Sequence, residues 1–390
     1  MPWSHITGQH RASAMLQLSL VQRRIPQALL LIGDDGAGTV ALALELARTL
    51  LCEAPHITER TYDRCGDCHS CRQSAQLQHP NLQFVLPLPA GKAASEGELT
   101  TALVEEWRDV VSEVSIDPYV PLRLQQASAI RIGQIRELKR MLAMSSAAGG
   151  RRVVILHHAD DMNTEAANAF LKTLEEPHTD VTLLLTCERP EVLLPTIRSR
   201  CQELIIPPIA DEDLTRYLIE SESLAEQEAR LVTAFAQGSL YRARRMAQEQ
   251  VSDERRLALE LLRTALRGKD YRIDLVTLVD HICEGKQRDR VDNVLSLLSV
   301  WLRDARCVAV SEHHATLVNS DQYDALLRFS QGFGQADFDQ ALSVLEEAAA
   351  DIHRNVALPL LLLSCALQLR RVFAAARQGS PTPSSHPVAV

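Results

Sequence analysis

The stretch that decides the fold is ALLLIGDDGAGTV, residues 28–40. Five apolar residues end at Gly33, and an Ala/Leu-rich segment, residues 40–52, follows the glycines. This order predicts a buried strand, a glycine-rich turn and a helix. A phosphate-binding loop has the same order, because the backbone amides at such a turn cradle phosphate groups.

The loop departs from the phosphate-binding pattern G-x-x-x-x-G-K-[ST] at its two last positions. The glycines are in place at Gly33, Gly36 and Gly38, but Thr39 stands at the lysine position and Val40 at the position of the magnesium-binding hydroxyl. Losing the lysine removes a charge-assisted contact to the transferred phosphate. Two interpretations remain open from the loop alone: a degenerate phosphate loop, or an unrelated strand-to-helix turn.

Two further apolar runs predict more strands of the same sheet. They are VVIL at 153–156 and VTLLLT at 181–186, and between them NTEAANAFLKTLEEP has helical periodicity that ends before Pro177. Strands that alternate with helices indicate an α/β domain with a parallel sheet covered on both faces. From Ile209 onward the pattern is helical, with interruptions near Gly238, Gly268 and Gly332.

The residues after the second apolar run bear on catalysis. A phosphate-loop ATPase carries Asp-Glu there, to organise magnesium and the attacking water, whereas this chain has His157 and His158. Neutral imidazoles bind soft metals, but adjacent side chains at a strand end point in different directions, so we expect a core or surface role. We expect Asp160 and Asp161 to start a helix. Both halves of the ATPase apparatus are therefore missing.

The bulk composition limits the function classes. With 390 residues, of which 46% are hydrophobic, the chain can form two or three domains with sizeable cores. The formal net charge of -9 argues against a protein that coats nucleic acid by electrostatics alone. No apolar stretch reaches the length of a membrane span, and we expect a cytoplasmic protein.

Four of the nine cysteines lie close together, at Cys52, Cys65, Cys68 and Cys71. Gaps of two residues between the last three let thiolates converge on one tetrahedral Zn²⁺, and four sulfur ligands make a closed, structural site. The alternative is a set of free thiols. The other cysteines lie among apolar neighbours and are expected to be small core residues.

Two segments carry no legible function. Residues 87–128 begin with PLPAGKAASEG, continue into a predicted helix at LTTALVEEWRDVVSEV, and are expected to be a surface insertion. Residues 379–390 are rich in Pro and Ser and are expected to be a disordered tail.

Several motifs together resemble one protein family. They are HITGQHRASAMLQLSLVQRRIPQALLLIG near the start, the cysteine cluster, IRELKRML at 135–142, NAFLKTLEEPHTDVTLLLTCERPEVLLPTIRSRCQ at 168–202 and GSLYRAR at 238–244. The sequence resembles the AAA+ subunits of the bacterial DNA polymerase III clamp loader, and among them the delta-prime subunits. The matches cover about the first 245 residues.

The resemblance implies a domain organisation and a set of partners. An AAA+ domain would span 1–207, a small helical lid 208–250 and an α-helical collar for oligomerisation 251–378. The partners would be the gamma/tau motor and delta subunits in a hetero-pentamer, the sliding clamp, and primed DNA reached through the complex. Delta-prime subunits commonly have a dead ATP site, so no ATP is expected in this chain's own site, and the protein would be part of the DNA polymerase III holoenzyme without ATPase activity of its own.

The resemblance also assigns roles to single residues. Arg200 matches an arginine finger that reaches the γ-phosphate of a neighbouring subunit in trans, and the alternative is a solvated surface residue. Thr186 and Arg242 match two sensor positions, which we expect to be vestigial here. Related subunits carry a similar zinc module, but the gap after Cys52 is longer than theirs, so His56 and His69 are rivals for the first ligand position.

Three hypotheses follow from the sequence. The first is a non-hydrolysing clamp-loader subunit that acts through assembly and Arg200. The second is a divergent AAA+ ATPase that still binds ATP. The third is a nucleic-acid-binding protein organised by its zinc module, which should bind primed DNA alone with strong salt dependence.

Overall fold

The computed structural model describes most of the chain. The described residues are 3–89, 101–125, 127–144, 149–176, 178–248, 251–268, 270–286, 288–310, 317–352 and 356–378. The chain divides into two compact units, one formed by Met1–Ala229 with Ala236–Arg245 and the other by Arg230–Phe235 with Met246–Val390. The division into base, lid and collar domains stays a prediction.

A five-stranded parallel sheet forms the centre of the first unit. Its strand order is β4-β7-β8-β1-β9, and every neighbouring pair is parallel. Two short antiparallel pairs, β2 with β3 and β5 with β6, lie outside it. The strands are β1 (Ala28–Ile32), β2 (His56–Ile57), β3 (Tyr62–Asp63), β4 (Leu82–Val85), β5 (Leu88–Pro89), β6 (Ala127–Ala129), β7 (Arg152–Leu156), β8 (Val181–Cys187) and β9 (Gln202–Ile205).

Helices follow most strands of the first unit. They are α1 (His10–Val21), α2 (Thr39–Leu51), α3 (His69–Ala75), α4 (Thr101–Ile116), α5 (Ile132–Ala143), α6 (Thr164–Glu175), α7 (Pro195–Arg198) and α8 (Asp211–Ser221). The next two helices, α9 (Glu226–Ala236) and α10 (Leu240–Gln248), have residues in both units. Two apolar cores cover the two sides of the sheet, one centred on α2 and the other on α5 and α6. The three strands and two helices predicted around the loop are confirmed, and β4 and β9 are strands that the apolar runs did not predict.

The second unit is helical throughout its described residues. Its helices are α11 (Val251–Leu266), α12 (Tyr271–Ile282), α13 (Arg288–Val310), α14 (Tyr323–Phe333), α15 (Phe338–Ile352) and α16 (Leu358–Gln378). Phe373 of α16 packs against Phe329, Phe333 and Phe338 with ring centroids 5.3, 5.4 and 5.8 Å away. The predicted breaks near Gly268 and Gly332 are confirmed, because α11 ends at Leu266 and α14 ends at Phe333.

The segment 87–128 is more than a surface insertion. Its helix α4 packs against the core around α2 through Trp107, Val110, Val111 and the fully buried Val114. The Trp107 ring meets Phe84 of β4 edge to face, at 6.1 Å between centroids. Residues 90–100 and 126 of this segment, Pro177, and the tail at 379–390 lie outside the described residues. No helix among the described residues is long and apolar enough to span a membrane.

Candidate functional site

The glycine loop lies where a phosphate loop would lie, after β1 and before α2. Gly36 and Gly38 have positive φ angles of 81° and 110°, which residues with a Cβ rarely adopt. Thr39 and Val40 are both buried inside α2. Neither side chain therefore offers a cation or a hydroxyl to a ligand in front of the loop.

The carbonyl groups of the loop are occupied by the chain itself. The Asp35 carbonyl accepts a hydrogen bond from the Ser239 hydroxyl at 3.3 Å, and the Gly36 carbonyl accepts one from the Leu240 amide at 3.0 Å. The side-chain amide of Gln9 donates to the Ala37 carbonyl at 2.9 Å. These bonds fix the loop against the start of α1 and the start of α10.

A loop amide that could face a phosphate is also occupied. The backbone N–H of Asp35 donates to a carboxylate oxygen of Glu188 at 2.9 Å. Glu188 directly follows β8, whose neighbour in the sheet is β1, so the two carboxyl ends meet at one edge. Burial and the charge of Asp35 raise the pKa of Glu188 to about 7. A carboxyl group thus takes the place of a ligand anion at this amide.

The two histidines lie at the same edge, beside the loop. His157 still continues strand pairing, with its N–H bound to the Val85 carbonyl at 2.9 Å, but His158 adopts a left-handed conformation with φ 51° and ψ 59°. This reverses the usual alternation of side chains, and the two rings lie 4.0 Å apart between centroids. The prediction that they point in different directions is wrong, and of the two positions expected for them, core or surface, their burial shows the core.

Each histidine has a partner at this edge. His157 Nδ1 lies 2.6 Å from the Thr186 hydroxyl, which also accepts the N–H of His158 at 3.2 Å. His158 Nε2 lies 3.3 Å from an Asp35 carboxylate oxygen. Burial opposes the charge of His158, but the Asp35 carboxylate outweighs it and raises the pKa of His158 to about 9. Burial and the charge of His158 hold the pKa of His157 well below its usual range.

Asp160 and Asp161 do not begin the following helix. They lie in a three-residue 3₁₀ turn, Ala159–Asp161, and both carboxylates bind the guanidinium of Arg189, at 3.0 and 2.7 Å. Asn163 caps α6 instead, because its side-chain oxygen accepts the Ala166 N–H at 2.8 Å. The turn therefore serves to fix the segment after β8.

Arg200 follows the short helix α7 at the surface of the first unit. Its guanidinium forms an ion pair of 2.8 Å with Glu175 at the end of α6, and it donates to the Thr196 carbonyl at 2.8 Å. The neighbouring Arg198 pairs instead with Glu203 of β9, also at 2.8 Å. The two arginines are thus held apart by different acidic partners.

Arg242, the predicted second sensor, lies in α10, which is distant from the loop in sequence but close to it in the fold. The backbone N–H of Arg242 donates to the Ser239 hydroxyl at 3.4 Å, the same hydroxyl that reaches the Asp35 carbonyl. Arg244, two residues on, pairs with Asp117 and Tyr217. The first sensor position, Thr186, contacts the two histidines as described above.

The four clustered cysteines converge as the spacing predicts. Their sulfur atoms all lie within 4.8 Å of one another, with Cys52 as a full member of the group. Backbone N–H groups point at the sulfurs: that of Cys65 at Cys52, that of Cys68 at Cys65 and that of Cys71 at Cys68, at 3.3 to 3.4 Å. The Cys68 amide is the main reason that the pKa of Cys65 falls to about 6. Four converging sulfurs with such donors fit a tetrahedral Zn²⁺.

Comparisons with known proteins agree with this geometry. A family model described as "DNA polymerase III, delta subunit" matches residues 8–210, which is more than half of the chain. The chain belongs to this family. The five-stranded parallel sheet and the helices that follow it confirm the predicted α/β fold with a helical second half.

Individual relatives are named as delta' subunits of DNA polymerase III. DNA polymerase III subunit delta' of Pseudomonas aeruginosa is 32% identical over 62% of this chain and 61% of its own length. The delta' subunit of Bacillus subtilis is 24% identical over 89% of this chain and 92% of its own. Among solved structures, a gamma subunit-related protein from Thermotoga maritima aligns over 91% of this chain and 99% of its own, with 18% identity and a TM-score of 0.42.

Sequence reasoning missed three side chains that complete the site. Glu188, Gln9 and Ser239 close the loop, and none belongs to the phosphate-loop pattern. Glu188 had a signal, because it directly follows an apolar strand that neighbours β1. Gln9 and Ser239 had none, because they come from segments remote in sequence that only the folded unit brings to the loop.

Proposed function

We propose that the chain is a non-hydrolysing delta-prime subunit of a DNA polymerase III clamp loader. It would help to load the sliding clamp on primed DNA, in a hetero-pentamer with gamma/tau and delta subunits. The observation that carries this proposal is the closed loop, in which Asp35 N–H is bound by Glu188 and three successive carbonyls are bound by the chain. Nucleotide binding would have to displace Glu188 from the Asp35 N–H, in a loop whose carbonyls are fixed by the chain, without the lysine that normally stabilises the phosphates.

The missing catalytic groups support the same function. The edge where an ATPase holds magnesium and water carries two imidazoles, one of which is paired with Asp35. Asp160 and Asp161 carry the first carboxylates that follow β7 in the sequence, and both are bound to Arg189. The two carboxylates that follow β7 are therefore engaged by Arg189 and do not organise magnesium and water in the way that an ATPase requires.

Arg200 would supply the remaining catalytic contribution, in trans. Its side chain is 35% exposed, so a neighbouring subunit can reach it, and Glu175 fixes its position. A planar guanidinium stabilises the charge that develops on the transferred phosphoryl oxygens. In the assembled complex Arg200 would exchange Glu175 for the γ-phosphate of an ATP held by the neighbour, while Arg198 stays with Glu203.

The four-cysteine cluster would hold a structural Zn²⁺. Cys52, Cys65, Cys68 and Cys71 provide four thiolate ligands and leave no position for water, so the ion would stabilise the module without taking part in chemistry. The segment that it stabilises includes β2, β3 and the start of α3.

Reconstitution with gamma/tau and delta subunits tests the proposal. We expect Arg200→Ala to reduce DNA-stimulated turnover at the ATP site that it serves by about 10³-fold or more, since arginine fingers contribute that much to kcat. Arg198→Ala is the matched control, because it removes a neighbouring arginine and should leave turnover unchanged. Equal ATPase activity of wild type and Arg200→Ala in an intact complex would show that the finger assignment is wrong.

A further inference from the structure

Asp35, His157 and His158 form a second group of potential metal ligands, separate from the cysteines. One ligand atom from each lies within 4.8 Å of the other two. Both imidazoles are at most 3% exposed, and Asp35 faces them from the glycine loop with a side chain that is 28% exposed. Two histidines and a carboxylate are a common ligand set for divalent transition metals.

His157 presents one ring nitrogen to this group without a partner. Its Nδ1 bonds the Thr186 hydroxyl at 2.6 Å, whereas its Nε2 is buried and has no hydrogen-bond partner. An unsatisfied buried polar atom costs about 1–3 kcal/mol, so such an atom needs an explanation. Histidines that bind metals usually bond their second nitrogen to a fixed group, which orients the ring, and Thr186 is placed to do this.

The conformation of His158 brings the second imidazole to the same place. With φ 51° and ψ 59°, the backbone turns so that consecutive side chains face one side. This conformation is uncommon outside glycine and is often found at functional positions. His158 Nε2 then lies 3.3 Å from the Asp35 carboxylate, about the separation of two ligands on one tetrahedral ion with bonds of about 2 Å.

We propose that Asp35, His157 and His158 bind one divalent transition-metal ion, with Zn²⁺ as the best match to the ligands. The ion would connect the glycine loop to the end of β7, and it would do so where an active ATPase holds magnesium and phosphate. Imidazole ligands select Zn²⁺, Co²⁺, Ni²⁺ or Cu²⁺ over Mg²⁺. The negative charge of Asp35 favours the ion, but the ion must displace the proton that Asp35 holds on His158, which is released to solvent, and Arg123, which acts electrostatically on all three ligands, also opposes binding.

The binding requires a small movement of the ligands. The ligand atoms all lie within 4.8 Å of one another, and each separation must become about 3.3 Å, the spacing that bonds of about 2 Å require. Asp35 can provide this movement, because it is on a loop and partly exposed, while the two histidines are fixed by the sheet and Thr186. The contact between Asp35 and His158 alone, without a metal, is the competing explanation.

Zinc analysis of the full-length protein tests the site. Metal is removed by chelation under reducing conditions, Zn²⁺ is added back by equilibrium dialysis, and bound zinc is measured by elemental analysis. We expect His157→Gln and Asp35→Asn each to hold one fewer zinc ion per chain than wild type. His281→Gln, an exposed histidine in the other unit, is the control and should keep the wild-type number.

Two further measurements separate a metal site from a structural role. We expect Thr186→Val, which retains all three ligands, to weaken the affinity of this site for its zinc ion by about 10–100-fold. X-ray absorption of zinc-loaded wild type should show nitrogen and oxygen neighbours in addition to sulfur, and Asp35→Asn, with circular dichroism to verify folding, should show sulfur alone. Equal zinc content and affinity in wild type, His157→Gln and Asp35→Asn would overturn the proposal.

Discussion

At the scale of single residues, the loop is closed by contacts that no phosphate-loop pattern contains. A Cβ added to Gly36 would meet the Ser239 hydroxyl at 2.1 Å, so the loop and α10 fit together only because this residue is glycine. A positive φ alone is not the constraint, since Gly150 has φ 73° and open space around its Cα. Substitutions at Gly36 and Gly150 therefore distinguish the cost of backbone strain from the cost of losing the Ser239 contact.

Gly36→Ala tests this closure. Both Gly36→Ala and Gly150→Ala place alanine in a left-handed conformation, which costs about 1–2 kcal/mol. We expect Gly36→Ala to lower the free energy of unfolding by about 1 kcal/mol more, because Ser239 must rotate and lose its bonds to Asp35 and Arg242. Chemical denaturation measures this additional loss of unfolding free energy. When Ser239→Ala is the starting protein, Gly36→Ala should cost only what the left-handed conformation costs. Equal losses in the two single variants would mean that Ser239 does not close the loop.

At the scale of elements, the helix after the loop carries two buried charges to the cysteine module. Arg48 of α2 donates to the carbonyls of Ser74 and Ala75 at 3.2 Å, and Glu45 receives the Arg64 guanidinium at 3.1 Å. These bonds link the module to the core of the first unit. We expect the order of this module, residues 52–71, to depend on these links and on the ion that we propose for the cysteines.

Glu45 gives this helix a pH-dependent stability. Burial outweighs the nearby Arg64 and raises the pKa of Glu45 from 4.5 to about 7. The folded protein thus keeps a proton that the unfolded chain releases near pH 4.5, and stability falls as pH rises from 4.5 to 7. Relative to wild type, we expect Glu45→Gln to gain up to about 3 kcal/mol of unfolding free energy across this window. Denaturation at several pH values measures this difference in unfolding free energy, with Glu105→Gln, at an exposed position, as the control. A difference between wild type and Glu45→Gln that does not change with pH would contradict the prediction.

Removal of zinc should loosen the cysteine module and spare the sheet. After chelation, we expect faster amide hydrogen exchange across residues 52–71 and unchanged protection in β7 and β8, because the sheet is buried between two apolar cores. Mass spectrometry of peptic fragments gives the location, and elemental analysis confirms that zinc has left. Unchanged exchange in 52–71 after complete removal would show that the cysteines hold no structural ion.

At the scale of the whole molecule, the sequence predicted the parts of the fold that local patterns record. The apolar runs at 28–32, 153–156 and 181–186 are strands, because a strand buried on both faces is apolar throughout. The strands β4 and β9 were missed, since LQFV and QELI are short and contain polar residues, as strands at the two edges of a sheet can. The cysteine cluster was predicted because its chemistry lies in its spacing.

The closed loop was predictable only in part. The missing lysine and acidic residues are visible in the sequence, whereas the bonds from Gln9, Glu188 and Ser239 depend on segments up to 204 residues apart. The meeting of His157 and His158 was predicted wrongly, because a strand pattern does not reveal the left-handed backbone at His158. The sequence therefore predicts the loss of ATPase activity, and the contacts around the loop support that prediction with a physical reason.

Equilibrium binding of a fluorescent ATP analogue to the isolated chain, with magnesium, tests whether the closed loop of this chain can bind nucleotide. The account predicts no saturable binding at millimolar nucleotide, because the chain's own groups occupy the loop and no lysine offsets the phosphate charge. The gamma/tau subunit serves as the positive control. Micromolar affinity for the analogue, with measurable hydrolysis, would contradict the account and favour a divergent ATPase.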